Sequence, residues 1–367
     1  MSIPLFRPRI SEEAIAAAAD VLRSGWLGLG PKTDEFEREF AAYVGSPFCV
    51  GLSSCTSAIQ LALHVLDLPE GSEVITTPIT FVSTNHAILY ERLKPVFADV
   101  DPRTGNLDTG SVRARITGAT RAIIVVHYGG YPADLDEIYA IAREHGLAVV
   151  EDCAHACGAE YKGKKIGSHG SLHAFSFHAV KNLPMGDGGA LTVRSVEHDA
   201  RLRRLRWLGI DKDTYTRTER QAYHWEYEVA EVGFKCHMND IEAAIGLEQL
   251  RLLDAENCRR TEIARGYREA LEGIDGLTLP PMSDDRRSSY HLFPVIAERR
   301  DDLVTRLREE GIATGVHYRR NDEYSMYEKT ELPGAGHFAS HVMSLPMHLD
   351  LRDEDVGAIA DAVRRGW

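Results

Sequence analysis

The segment VVEDCAHACGAEYKGKKIGSHGSLHAFSFHAVKNLPMGDGGAL, residues 149–191, decides the fold. It begins in an apolar strand predicted at 147–150, which runs into the acidic pair Glu151 and Asp152. A hairpin rich in Gly and Lys follows, then an alternating stretch from Leu172 to Phe177 that reads as a strand. Lys181 stands four residues further on, ahead of Gly186, Asp187, Gly188 and Gly189. An acid closing a buried strand and a lysine just past a later one suit one chemistry well. The amine captures an aldehyde cofactor, and the carboxylate keeps a pyridine nitrogen protonated. Phe175, Phe177 and Val180 make the approach apolar, and desolvation lowers a lysine pKa toward the neutral, nucleophilic form. A surface lysine is the bland alternative for residue 181, and this setting weighs against it.

Working outward, strands alternate with helical patterns on the N-terminal side. Apolar strands are expected at 49–52, 73–76, 95–99 and 122–126, with helices between them at 58–66, 83–90, 109–116 and 135–145. Such alternation predicts a mostly parallel α/β sheet with helices on both faces. Ligands then bind beyond the strand C-termini, which brings Asp152 to the same rim as Thr56 and Phe81. Residues 53–57, Ser-Ser-Cys-Thr-Ser, sit between a strand and a helix, where hydroxyls and free amides make an anion site. An ordinary Ser/Thr helix cap is the competing reading. Further upstream, Ser11 caps a helix to about Arg23, and Thr33 caps a second whose Phe36, Phe40 and Val44 share a face. Trp26 lies in the turn between them and either lines the site or packs in a core.

Downstream, 200–210 reads as a basic helix and 211–228 as a long loop carrying Tyr215, Tyr223, Trp225 and Tyr227. Asn239 or Asp240 caps a long helix reaching about Glu272, and Lys235 just before it is free to reach an anion. The C-terminal part reads as a small α+β domain, with helices at 301–310 and 354–365 and a strand at 313–317. The division is placed at 1–254 and 255–367.

Totals bound the function. Lys and Arg number 42 against 55 Asp and Glu, a net charge of −13, which argues against a general nucleic-acid surface. No apolar run approaches the roughly 20 residues of a membrane span, and the N-terminus shows no basic-then-apolar leader, so a cytoplasmic location is expected. The six cysteines form no disulfide framework. Cys153-x-His155-x-Cys157 invites a metal, but no second ligand pair stands at structural-zinc spacing, so no metal site is expected.

The motif Glu151-Asp152-Cys153-Ala154-His155, Gly167-Ser168-His169-Gly170, Phe175-Ser176-Phe177, Lys181-Asn182 and Gly186 to Gly189 resembles the signature of the DegT-type sugar aminotransferases. These are fold-type I pyridoxal-phosphate enzymes, and the order and spacing agree over more than forty residues. The resemblance implies an aspartate-aminotransferase-like large domain plus a small C-terminal domain. It implies pyridoxal 5'-phosphate, passing through pyridoxamine 5'-phosphate, with Lys181 as its covalent anchor and Asp152 on the ring nitrogen. His155 would bind the ring 3-oxygen and Phe81 would stack on the ring. Cys55 and Thr56, where the family has Gly-Thr, would hold the phosphate together with Ser176 and Lys235 of a neighbouring subunit, which makes a homodimer with shared sites. His317 and Tyr318 match a family His-Tyr near the active site. Arg319 and the residues after it depart from the usual proline-containing continuation, and Arg319 is a substrate candidate by position and charge. The implied reaction moves an amine from L-glutamate to a keto-sugar carried on a nucleotide, for glycan or natural-product biosynthesis. A cyclitol or other small ketone as acceptor, a pyridoxamine-phosphate-dependent sugar dehydratase and a cofactor-binding regulator are the alternatives. The dehydratases carry His in place of the lysine, and a regulator would be expected to carry a DNA-binding module.

Overall fold

A computed structural model describes residues 2–211 and 226–366, so Tyr215, Tyr223 and Trp225 of the predicted loop lie outside the described residues. Ser11 caps α1 (Glu12–Ser24) as the sequence predicts, its Oγ accepting from the Ala14 N–H at 3.1 Å. Helix α2 (Pro31–Val44) starts before the expected Thr33 cap. Pro31 has no N–H and so suits a first turn, whereas Thr33 donates its N–H and hydroxyl to Asp240 at 2.9 and 2.8 Å. That buried carboxylate does the capping from across the fold.

In chain order the next elements are β1 (Phe48–Leu52), α3 (Cys55–His64), β2 (Glu73–Thr76), α4 (Ser83–Tyr90), β3 (Lys94–Phe97) and α5 (Thr109–Ala114). Then come β4 (Thr120–Val126), α6 (Leu135–His145), β5 (Ala148–Asp152), the hairpin β6 (Glu160–Tyr161) and β7 (Lys164–Lys165), β8 (Leu172–Ser176), β9 (Gly189–Val193) and α7 (Val196–Leu205). Seven of these strands form one sheet in the order β1-β9-β8-β5-β4-β2-β3. The pairs among β3, β2, β4, β5 and β8 are parallel, and β9 runs against both of its neighbours. Successive residues of a strand feed opposite cores. Ile123, Val125 and Val149 pack with α2 and α6, while Ala122, Ile124 and Val150 pack with α3, α4 and α7. Because both faces are covered, the strands read as unbroken apolar runs rather than as alternation.

Helix α8 (Asp240–Leu271) joins the two parts of the molecule. Ala243, Leu247 and Leu253 in its first half belong to the core of the large sheet. Ile263, Tyr267 and Leu271 in its second half belong to a separate core. That second core covers an antiparallel sheet of β10 (Leu277–Thr278), β12 (Phe293–Ala297) and β13 (Val342–Leu345). The helices α9 (Arg300–Glu309), α10 (Pro333–His341) and α11 (Asp353–Arg364) accompany it, and β11 (Arg286–Arg287) instead extends the β6–β7 hairpin. We propose that the division falls within α8 near residues 254–255, with the first residues of the chain assigned to the smaller part. Ile3 packs in the second core and its N–H bonds the Gly311 carbonyl at 2.9 Å.

The predicted strand at 313–317 is not one. Only isolated bridges occur here, Gly315 with Ser344 and, just before the segment, Ile312 with Ile3. An edge contact of this kind leaves the segment extended but free to turn toward the large sheet, which is where His317 and Tyr318 go.

Candidate active site

The C-terminal ends of β1, β4, β5 and β8 meet the start of β9 along one edge of the large sheet. Ser176 ends β8 opposite Gly189, and Gly189 in turn opposes Leu52 of β1. The residue after Gly188 has to be glycine for a steric reason. A Cβ on Gly189 would lie 2.3 Å from the Ser54 carbonyl carbon and 2.5 Å from the Cys55 nitrogen. The Gly-rich turn thus lets the 53–56 loop lie flat against it. Ser54 caps α3 by accepting from the Ser57 N–H at 3.1 Å, and the amides of Cys55 and Thr56 in the first turn have no acceptor inside the helix. Predicting the helix from residue 58 overlooked this turn; α3 starts at Cys55.

Lys181 is held by its loop. Its own N–H bonds the His178 carbonyl at 2.8 Å, Ala179 N bonds Gly186 O at 2.9 Å, and Met185 N bonds Phe177 O at 2.9 Å. Asn182 ties the loop to α8 and to the small domain, donating to Asn257 Oδ1 and to the Ser289 carbonyl at 2.8 Å each. Beneath it Phe177 packs edge-on against Phe36 and Phe40, with ring centroids 5.3 and 5.2 Å apart.

These elements surround a cavity of about 320 Å³. Its walls include Cys55, Thr56, Phe81, Asp152, His155 and Ser176, and Lys181, His317 and Tyr318 complete it. Nine of the residues singled out from the sequence therefore stand around one space. Three do not line it. Trp26 is half-buried and donates its indole N–H to the Leu29 carbonyl at 3.1 Å. Arg319 is exposed and bonds the Glu323 carbonyl at 3.3 Å. Lys235 is exposed and its ammonium sits 3.1 Å from the centroid of the Trp207 ring.

The electrostatics follow from burial. Desolvation pushes Lys181 down to about 8 against the pull of Asp152 and Cys55, so a minority of it, far more than of an ordinary lysine, is neutral near physiological pH. Burial raises the Asp152 carboxyl, and the hydrogen bonds it accepts only partly offset this. Those come from Thr84 Oγ1 at 2.8 Å and the Ala154 N–H at 3.0 Å. Asp152 is thus a buried acid short of a cationic partner. Burial with the nearby Lys181 holds His155 well below its usual value and takes His317 to about 4. The neutral His155 has a defined tautomer: Nδ1 accepts from the Gly129 N–H at 3.2 Å, so Nε2 carries the proton and donates to the Tyr318 oxygen at 3.1 Å.

The neighbouring Glu151 differs entirely from Asp152. His127 Nε2, Glu151 and Cys153 come close enough together to suit a metal, but their atoms are engaged in hydrogen bonds. His127 Nδ1 accepts from the Ala133 N–H at 3.1 Å, which directs its Nε2–H to Glu151 at 3.0 Å, and Tyr139 donates to the other oxygen. Burial raises Glu151, but the pull of His173 and the His127 and Tyr139 bonds outweigh it and leave it at about 2. Glu151 is a structural anion tying β5 to its neighbours. As expected from the scattered cysteines, Cys153 and Cys157 are buried free thiols.

Two neighbours of the site went unread in the sequence. Thr84 lies in the first turn of α4 and meets the hydroxyl of Thr80, in the loop before the helix, at 2.8 Å. His291 has its Nε2 3.4 Å from the Lys181 amine. It arrives from just before β12, more than a hundred residues away, and nothing local marks it.

A mostly parallel sheet with one reversed strand, carrying a half-buried lysine and a buried acid at its C-terminal rim, suits a class of enzymes that work through a lysine amine. The chain belongs to the DegT/DnrJ/EryC1/StrS aminotransferase family, which it matches over residues 8–364, and it is an aminotransferase. It is 39% identical to the UDP-4-amino-4-deoxy-L-arabinose–oxoglutarate aminotransferase of Shewanella sediminis, over 98% of this chain and 97% of the relative. Among solved structures, AtS13 from Actinomadura melliaura is 41% identical over the whole of both chains, with a TM-score of 0.93. The sugar aminotransferase Spr1654 of Streptococcus pneumoniae, solved in PLP and PMP forms, is 30% identical with TM-scores of 0.92 and 0.93. Its PLP form covers all of this chain and 98% of its own, and its PMP form 99% and 98%. No described helix is long and apolar enough to cross a membrane.

Proposed function

We propose that this aminotransferase moves the amino group of L-glutamate to the ketone of a nucleotide-linked keto-deoxy sugar, with pyridoxal 5'-phosphate as cofactor and pyridoxamine 5'-phosphate as its aminated form. The observation that carries the reading is the pairing of a half-buried lysine of lowered pKa with a buried acid across one cavity. The residues fit the cofactor. Asp152 has no salt-bridge partner, and a protonated ring nitrogen would provide one and favour its ionised form. His155, whose Nε2–H now goes to Tyr318, would offer that donor to the ring oxygen. The first-turn amides of α3, with Thr56 and Ser176 beside them, suit a phosphate.

When bound, pyridoxal phosphate supplies an electron sink for the carbanion left as the donor α-carbon loses its proton. Lys181 anchors it and, once displaced by the donor amine, carries that proton. Phe81, 60% exposed yet on the cavity wall, leaves that side for a second subunit, whose Lys235 reaches the phosphate. The relative's name supports a nucleotide sugar and oxoglutarate as its partners.

The test is a pair of half-reactions. Purified protein should bind pyridoxal phosphate with a violet-band absorbance, and L-glutamate alone should convert that to the spectrum of the amine form. Nucleotide-linked keto-sugars should then restore the band, and inosose-type cyclitols should not. A cyclitol that works where the keto-sugars fail would overturn the substrate class, and inertness to every amino acid would overturn the reaction.

A further inference from the structure

The Lys181 amine has the large cavity on one side and a single polar neighbour on the other. Among the described residues its one hydrogen bond is with His291 Nε2, at 3.4 Å. His291 does not line the cavity of about 320 Å³. It lines a smaller recess behind the lysine, with Phe6, Arg260 of α8 and His348, and is itself only 4% exposed. Short bonds fix it there. Ser289 and Leu292, on either side of it in the chain, donate their N–H groups to the Gly130 and Gly129 carbonyls at 3.1 Å each. Ser289 Oγ donates to the His155 carbonyl at 2.8 Å, and the Ser289 carbonyl accepts from Asn182, the residue after Lys181. The approach is so close that a Cβ on Gly130 would lie 2.4 Å from Ser289 Oγ. Rings hold the imidazole as well. Phe6 stacks on it with centroids 5.7 Å apart and planes 11° from parallel, and the His155 ring lies 4.5 Å away. Burial, with Lys181, His155, His317 and Arg260 around it, keeps His291 well below its usual value and hence neutral. A neutral ring that accepts through Nε2 carries its one proton on Nδ1.

We propose that His291 is a positioning residue whose Nε2 docks the Lys181 amine whenever that amine is not linked to the cofactor, aiming its lone pair into the large cavity. The inference rests on Lys181 as the cofactor's anchor and adds the group that orients it. The step served is addition of the lysine nitrogen to an aldehyde carbon. The lone pair forms the new C–N bond, and both amine protons leave with the aldehyde oxygen as water. An N–H given to His291 turns the lone pair away from that ring, toward the cavity whose wall Lys181 shares. Orientation of this kind lowers the barrier without adding a charge.

The test follows capture of pyridoxal phosphate by cofactor-free protein, read as growth of the violet band across a range of pH. Wild type is compared with His291→Asn, His291→Gln and Phe6→Leu. Well above the Lys181 inflection the amine is neutral in every variant, so the plateau rate reads orientation, whereas a change in protonation moves only the inflection. Asn is too short to reach the lysine, and its plateau should fall by roughly three- to tenfold, the worth of one hydrogen bond. Gln places its amide oxygen near the position of Nε2 and should recover most of that loss. Phe6→Leu keeps the acceptor but loosens it, and its plateau should drop about twofold, the low end for one ring contact. Equal slowing by Asn and Gln would reduce His291 to packing and contradict the proposal. So would a wild-type plateau in His291→Asn, even with a shifted inflection. If His291→Asn does not fold, Phe6→Leu decides by the same plateau, and an unchanged rate there counts against the docking role. Borohydride trapping on each protein keeps the two readings apart. A label on another lysine would sink the anchor itself, whereas a label on Lys181 throughout leaves the rates to judge His291.

Discussion

The two walls around Lys181 are built in different ways. One comes from a single stretch of chain: Asp152, His155, Ser176 and Lys181 all fall within residues 149–191, on adjacent strands β5 and β8 and the loop after β8. The other wall, with His291, His317, Tyr318 and Arg260, is gathered from α8 and the small domain. The first wall holds the groups proposed to touch the reacting atoms. The second sets their surroundings, excluding water and placing neutral imidazoles and a buried guanidinium around the amine. Chemistry here is encoded locally, and its tuning is encoded by long-range packing.

Substitutions separate the two walls. The largest effect is expected at the acid proposed to face the ring nitrogen: Asp152→Asn should lower turnover by roughly a thousandfold, the scale for removing one electrostatic partner in a dry site. Steady-state kinetics on refolded, cofactor-loaded protein checks this, and a loss under tenfold would detach Asp152 from the chemistry. Beneath the same wall, Phe177→Ala removes a fully buried ring from the aromatic stack. It should cost about 3–5 kcal/mol in denaturant unfolding. Thr84→Val keeps the shape but deletes the 2.8 Å bond to Asp152. Turnover should fall about tenfold, and denaturant unfolding should lose about 1–3 kcal/mol because Asp152 and Thr80 each lose a buried partner.

The smallest and most diagnostic effect is one of pH. The neutral amine is the nucleophile, and burial has brought Lys181 from the ordinary 10.5 to about 8. The rate at which cofactor-free protein captures pyridoxal phosphate should therefore rise with pH and level off above about 8. A rate still climbing at pH 10 would place the reacting lysine in water. Here the second wall is also probed, because an opened His291 side would rehydrate the amine and move the inflection upward.

Much of the first wall was legible because strands buried on both faces announce themselves as apolar runs, and because Asp152 and Lys181 punctuate the ends of two of them. The α3 turn was half legible: hydroxyls before a helix are a known cap, but only the pairing of Ser54 with Gly188 shows why the loop lies on the cavity. Thr33 was misread because its acceptor, Asp240, is two hundred residues away, and local spacing cannot show a distant carboxylate. The extended segment at 313–317 has strand-like residues but pairs only singly, which single-sequence periodicity does not register. Motif position and charge point to Trp26 and Arg319, and in this chain both side chains are engaged away from the cavity. Arg260 and His291 carried no signal at all, since a basic residue on a helix or a histidine before a strand is ordinarily a surface group.

The most direct test of the central claim is reductive trapping. Holoenzyme reduced with borohydride and digested should yield one peptide carrying the mass of the reduced cofactor, on Lys181. The label on any other lysine, or its absence from the peptide containing Phe177 and Lys181, would contradict the account.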